Sequence, residues 1–243
     1  MSSALMPTLV AFTLVLRGAA CRDAIAQTAG DAPMEHQHTG DRGRSGHSDR
    51  GYHRSFDHAE MWAREFDDPA RNAWQKPDEV LDALHLERTA LVADLGAGTG
   101  YFSARIAERV PDGKLFALDI ESDMVRYLRE RAQREHLSVL VPVLATAESS
   151  NLPEPVDLVL VVDTYHHIDR RIAYFAKLRE SLRPNGRLAI VDFKLDSPNG
   201  PPPEHRIPPD KVIAELATAG YSLAATQQFL PRQYFLVFQG KGS

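Results

Sequence analysis

From residue 90 onward the chain alternates short runs of Val, Leu, Ile and Ala with longer stretches whose apolar residues recur every three or four positions. The first pattern predicts strands and the second amphipathic helices. Strands are expected at 90–95, 114–120, 138–145, 156–163, 186–193, 221–230 and 233–239. Helices fall between them. One at 101–110 carries Phe102, Ile106 and Val110 on a single stripe, and one at 122–136 is apolar at Met124, Val125 and Leu128. Two more are expected at 169–182 and 209–220. Strand runs without clean alternation predict burial on both faces. Alternation of strand and helix over the first five strands predicts right-handed crossovers and a parallel sheet. The last two strands are separated by little more than Pro231 and Arg232. That is too short for a crossover, so they are expected to pair antiparallel. The fold class is therefore α/β, a doubly wound sheet with helices on both faces and an antiparallel last strand.

Upstream, "FDHAEMWAREFDD" places Phe56, Ala59, Met61, Trp62 and Phe66 at mostly helical spacing and stops before Pro69. A second helix is expected to start at Pro77, with Asp78 and Glu79 in the first turn, where the helix dipole favours acids. Residues 56–86 thus predict a helical lid on a domain spanning 56–243. Residues 27–55 change to Gly, Ser, Asp, Arg and His with almost no aliphatics. Such a linker buries too little surface to offset its ordering entropy and is expected to be disordered. Its histidines, among them His36, His38, His47 and His53, match no closed zinc spacing, so no metal site is expected. The apolar residues 4–16 are too few to span a bilayer as a helix. They match the core of a secretory signal, with Ala24–Ala26 as a small-x-small cleavage site before Gln27. Cleavage with lipid attachment at Cys21 is a second option, though Gly18 stands where a leucine is usual. The expectation is export, with a cytoplasmic location as the alternative.

Composition narrows the function classes. Hydrophobic residues make up 43% of the 243, enough for a substantial core. The net charge of −5 and the lack of a basic stripe give no nucleic-acid partner. The single cysteine excludes an intramolecular disulfide framework and a CxxC site.

The chemistry concentrates in "LVADLGAGTGYF", residues 91–102. Gly96, Gly98 and Gly100 follow the first strand, at the carboxyl end of the sheet where doubly wound folds hold ligands. A dinucleotide loop reads GxGxxG or GxGxxA, its last small residue allowing tight helix packing. Here the pattern is GxGxG followed by the bulky Tyr101. Asp94 precedes the glycines; a carboxylate there repels a diphosphate and suits an ammonium group. Asp119, ending the second strand, can accept hydrogen bonds from both ribose hydroxyls. Ile120 and Met124 follow it as candidates for an adenine face.

"VADLGAGTGYFSARIAERV", "LFALDIESDMV", "VDLVLVVDTYHHI" and "LRPNGRLAIVDF" together resemble the successive motifs of class I S-adenosylmethionine-dependent methyltransferases. The resemblance covers roughly residues 75–240. It implies a Rossmann-like seven-stranded sheet, S-adenosyl-L-methionine as methyl donor, and a small-molecule acceptor. By position, Asp94, Gly96, Gly98 and Gly100 resemble the methionine-end loop, with Ala97 between them a further cofactor candidate, and Asp119 resembles the ribose ligand. Many relatives have Gly-Asp after the third strand, where this chain has "ATAESSN". Glu148 is then the candidate for the adenine amino group, with the Ala147 backbone as donor. Asp163 to His167 end the fourth strand and face the cofactor's reactive end, which makes Asp163 a cofactor candidate. His166 and His167 are the candidates for a general base, since histidine titrates near neutrality. Asp192, ending the fifth strand, is a further candidate for the rim. The proline-rich loop 197–209 is either a cover for the acceptor or a stiff connector. Two other functions compete: a methyltransferase-like binding protein without catalysis, and a nicotinamide-dependent oxidoreductase. Tyr101 and Asp94 disfavour the second.

Overall fold

The structure is a computed structural model that describes residues 51–240 apart from Arg54 and Asp57. The expected signal at 1–26 and most of the expected linker lie outside the described residues. The seven predicted strands are all present: β1 (Leu91–Leu95), β2 (Lys114–Asp119), β3 (Leu140–Leu144), β4 (Val156–Val162), β5 (Leu182–Phe193), β6 (Tyr221–Gln227) and β7 (Gln233–Gly240). They form one sheet in the order β3-β2-β1-β4-β5-β7-β6. β1 pairs in parallel with both β2 and β4, and β7 runs antiparallel between β5 and β6. The chain thus moves outward one way from β1 and then returns to build the other half, which leaves a crevice at the tips of β1 and β4.

Burial on both faces holds for the inner strands. Val92, Ala93, Leu160, Val161, Ala189 and Ile190 are fully buried. The outer strands depart from it, because β3 and β6 each have one open edge and a partly exposed face. Pro142 sits in β3, as an edge strand tolerates a missing backbone donor. The helices are α1 (Ala59–Phe66), α2 (Asn72–Gln75), α3 (Pro77–Leu84), α4 (Tyr101–Arg109), α5 (Ser122–Arg134), α6 (Arg171–Arg179) and α7 (Pro209–Thr218). Proline opens both α3 and α7, where its fixed φ suits the first helical position. One apolar layer joins the sheet to α3, α4 and α5 through Leu81, Ile106 and Leu128. The other joins it to α6 and α7 through Phe175, Leu178, Val212 and Leu216.

Three details of the lid differ from expectation. α1 starts at Ala59, so Phe56 precedes the helix. The four residues of α2 are too few to show a period in sequence. Gly51–His53, expected as linker, have a defined path against the tip of β4. Among the described residues no helix is long and apolar enough to cross a membrane.

Candidate active site

The glycine loop is shaped by three separate constraints. Gly96 has φ +78°, and a Cβ there would sit 2.2 Å from Oγ1 of Thr164, so its bare backbone lets the β4 tip close against β1. Gly100 has φ +92° and faces Leu128 and Arg131 of α5. Gly98, whose Cβ position is approached only by the Phe66 ring at 3.4 Å, lies open to the ligand side. Part of the pattern therefore serves packing within the protein, and part serves a ligand.

Two carboxylates flank this loop. Asp94 is buried and accepts from Ser103 Oγ at 2.6 Å. Asp119 Oδ2 accepts from the Gly98 N–H at 2.8 Å and Oδ1 from the Glu121 N–H at 3.0 Å. A carboxylate has about four lone-pair sites, so capacity remains on both oxygens of Asp119. Burial pushes Asp94 up to about 6, against the Ser103 hydrogen bond. Burial likewise pushes Asp119 up to about 6, against the backbone donors of Glu121 and Gly98.

Both acids line a cavity of about 920 Å³ at the carboxyl end of the sheet. That is room for a nucleoside-sized ligand and a second small molecule side by side. Ala97, Ile120, Met124 and Ala147 also line it, and Ile120 is 57% exposed. Glu148 does not line it. The turn bridged by Thr146 and Ser149 directs its carboxylate outward to Arg170, at 3.4 Å. Of the adenine candidates, the structure thus brings Ile120, Met124 and Ala147 to the cavity and leaves Glu148 outside.

Asp163 also lines the cavity, but its oxygens are held by protein. Gln75 Nε2 donates to Oδ2 at 2.8 Å, Gln233 Nε2 donates to Oδ1, and Arg71 Nη2 stands 3.8 Å away. Burial, with the charge of Asp192 next, pushes Asp163 up to about 6. Gln75 lies in the lid and Gln233 at the start of β7, so Asp163 ties both to β4. Nothing local in the sequence marks either glutamine.

Beyond β4, the turn Tyr165–His167 carries both candidate bases. Tyr165 is anchored through its hydroxyl to Glu215 at 2.7 Å, and Glu215 makes a two-point pair with buried Arg171 at 2.7 and 3.1 Å. This holds the turn on α7. His166 is buried, with Nδ1 at 2.9 and 3.0 Å from the two oxygens of buried Asp192. A carboxylate accepts, so Nδ1 carries the proton and Nε2 the basic lone pair. Burial disfavours charge on His166, but the charge and hydrogen bond of Asp192 outweigh this and hold its pKa above the usual histidine value. His167 donates from Nδ1 to the Tyr52 carbonyl and stacks on the Tyr52 ring at 5.6 Å. Burial, then the neighbouring His166, pulls its pKa down to about 4.

The lid closes the remaining side. Tyr52 N–H donates to the His166 carbonyl at 2.8 Å, and His53 Nε2 to Asp169 at 2.9 Å. Phe56, Trp62 and Phe66 form an aromatic cluster with ring separations of 5.2–5.8 Å, Phe56 and Phe66 reaching the cavity wall. Tyr101, the bulky residue after the glycines, is clasped between the guanidinium groups of Arg71 and Arg105, each 4.3 Å from its ring, and donates to Asn72. It joins the lid to α4, so its size has a use that small residues at this position lack. The proline-rich loop contributes Asn199, Gly200, Pro201 and Pro202 to the wall.

Sheet order and the antiparallel β7 are those of the class I S-adenosylmethionine-dependent methyltransferase fold. A solved structure with that fold, the S-adenosylmethionine-dependent methyltransferase from Aquifex aeolicus, superposes with a TM-score of 0.69 at 24% identity, over 74% of this chain and 97% of that one. A glycopeptide N-methyltransferase complexed with S-adenosyl-L-methionine superposes at 0.57 with 15% identity, over 68% of this chain and 87% of the other. Residues 92–186 match the family model described as a methyltransferase domain. A malonyl-acyl-carrier-protein O-methyltransferase of Acetivibrio thermocellus is 28% identical over 133 residues, 54% of this chain and 46% of that protein. An uncharacterized methyltransferase of Mycobacterium tuberculosis is 38% identical over 118 residues, 47% of this chain and 44% of the relative. The chain spans about half the length of these curated relatives.

Proposed function

We propose that this protein transfers a methyl group from S-adenosyl-L-methionine to a small acceptor that reaches the site with its proton still attached, and that His166 removes that proton. The observation that carries the reading is the set of three desolvated carboxylates, Asp94, Asp119 and Asp163, around one cavity. Such a cavity favours a cationic ligand and repels a diphosphate. Asp94 and the Gly96–Gly100 backbone suit the amino-acid end of the donor, and the spare lone pairs of Asp119 suit its ribose. Ile120 and Ala147 suit the adenine. When bound, the donor supplies a methyl group on a positively charged sulfur, already activated for displacement.

The chain's own part is alignment, exclusion of water and proton removal. Asp192 fixes the tautomer of His166, leaving Nε2 to take the acceptor's proton, while the bound donor would give up its methyl carbon and keep the carbon–sulfur electron pair as a neutral thioether. His167, held neutral with its Nδ1–H on Tyr52, is the weaker base and serves as wall. The acids at this end also bear on the acceptor. Two of the relatives carry the name malonyl-acyl-carrier-protein O-methyltransferase. A reacting carboxylate would need no base and would face Asp163 and Asp192, so a hydroxyl or amine fits this cavity better.

Calorimetry with S-adenosyl-L-methionine and with NAD tests the donor. Binding of the first and not the second is expected, and a folded protein that binds only NAD refutes the reading. A catalytically silent binding protein is tested by His166→Gln. Loss of turnover by about 10²–10⁴-fold with unchanged donor affinity is expected for a general base.

A further inference from the structure

The cavity has a second end that methyl transfer leaves unexplained. From His166, the ring of Phe193 lies 6.3 Å away, that of Trp74 a further 6.1 Å on, and the guanidinium of Arg232 stands 5.3 Å over the Trp74 ring. All four side chains line the same cavity. Gly200 lets the proline-rich loop pack against this track: its φ is +99°, and a Cβ there would sit 2.5 Å from the Phe193 ring. Arg232 donates to the side-chain oxygen of Asn199. No carboxylate among the described residues lies within ion-pair distance of it, whereas Arg71, on the same cavity, has Asp163 at 3.8 Å.

We infer that Arg232 is an anion subsite, and that the acceptor is an aryl carboxylate seated with its ring against Trp74 and Phe193, its carboxylate on Arg232 and its nucleophilic hydroxyl at His166. The orientation toward His166 rests on the methyl-transfer reading. A planar guanidinium offers paired N–H donors that match a carboxylate, and stacking on Trp74 fixes its plane. The charge pattern sets the direction. Asp163 and Asp192 at the His166 end repel an anion, and Arg232 attracts it, so only one orientation brings the hydroxyl to the base. Trp74 belongs to the lid and Arg232 to the β6–β7 turn, so an acceptor bound this way bridges the two.

The test uses 4-hydroxybenzoate and 4-hydroxycinnamate against their carboxamides, titrated into the protein alone and with S-adenosylhomocysteine, following Trp fluorescence. The acids are expected to bind at least about tenfold more tightly than the amides, as for a hydrogen bond to a charged group. Arg232→Gln is expected to abolish that preference while leaving amide affinity unchanged, and Arg232→Lys to keep part of it. Where an acid is methylated, the Arg232→Gln loss is expected in KM and not in kcat. Equal affinity for acid and amide, no binding of either, or a preference that survives Arg232→Gln overturns the subsite. A fall in melting temperature with the preference intact also overturns it, leaving Arg232 as a latch on Trp74. Failure of S-adenosylhomocysteine to bind counts against methyl transfer instead, while the acid-to-amide ratio on the protein alone still decides the subsite.

Discussion

Asp119 does two jobs with one carboxylate: it braces the Gly98 and Glu121 N–H groups and leaves lone pairs toward the cavity. Asp119→Ala is therefore expected to weaken donor binding by roughly 10- to 100-fold, the worth of hydrogen bonds to a charged group. Circular dichroism should show the fold retained, and unchanged affinity would remove Asp119 from the ribose site. The raised values of Asp94, Asp119 and Asp163 give a pH prediction. In the native state these acids hold their protons up to about pH 6, above the unfolded value of 3.8. Between those values the native state binds more protons, so these groups make stability fall as pH rises from about 4 to 6. A cationic donor reverses the preference. Its affinity is expected to drop as pH falls through about 6, with proton release on binding near that pH, seen by calorimetry in buffers of different ionisation enthalpy. His166 behaves oppositely to His167. Burial works to lower its pKa, but Asp192 holds it above the usual histidine value, so the single-turnover rate of methyl transfer should rise with pH through a limb on the alkaline side of that value. Asp192→Asn removes the charge and leaves the burial, so the limb should move to lower pH as that rate falls. The two histidines were legible in sequence as candidates, but the choice between them was not. Asp192 lies 26 residues away, and only the pairing of strand tips brings it under His166.

At the scale of elements, strands and their directions were readable because apolar runs and connection lengths constrain them strongly. The lid was readable only in part. α2 is too short for periodicity, and the bonds of Gln75 to Asp163 and Asn72 to Tyr101 span 88 and 29 residues. Glu148 shows the same limit: a strand-following acid looks like an adenine ligand until the turn at Thr146–Ser149 faces it outward. The β4 turn depends on the Tyr165–Glu215–Arg171 cluster, where Arg171 is 2% exposed. Glu215→Ala removes the two-point pair with that guanidinium and the Tyr165 anchor together, and is expected to destabilise the fold by about 2–3 kcal/mol, measured by urea unfolding. The Gly51–His53 strap makes a gentler test. A Cβ on Gly51 would sit 2.2 Å from the His167 carbonyl, so Gly51→Ala should lift the strap with little change in melting temperature. Turnover should fall, as His167 loses the Tyr52 contacts that fix it.

Across the whole molecule, the crevice between β1 and β4, and not the net charge of −5, is expected to set where a ligand binds. A donor that binds only the folded chain adds stability by mass action. At a concentration of 100 Kd this is about 2.7 kcal/mol, which for a domain of this size raises the melting temperature by roughly 5–10 °C. A thermal-shift series with S-adenosyl-L-methionine checks it. The clasp on Tyr101 bears on time more than on affinity. On the proposed reading donor and lid share walls, so the spent donor is expected to leave after the Arg71, Asn72 and Gln75 contacts loosen. Release of product, not bond-making, is then expected to set the pace of steady turnover. A first cycle faster than those that follow should mark it, and Tyr101→Phe, which drops the tie to Asn72, should quicken every later one.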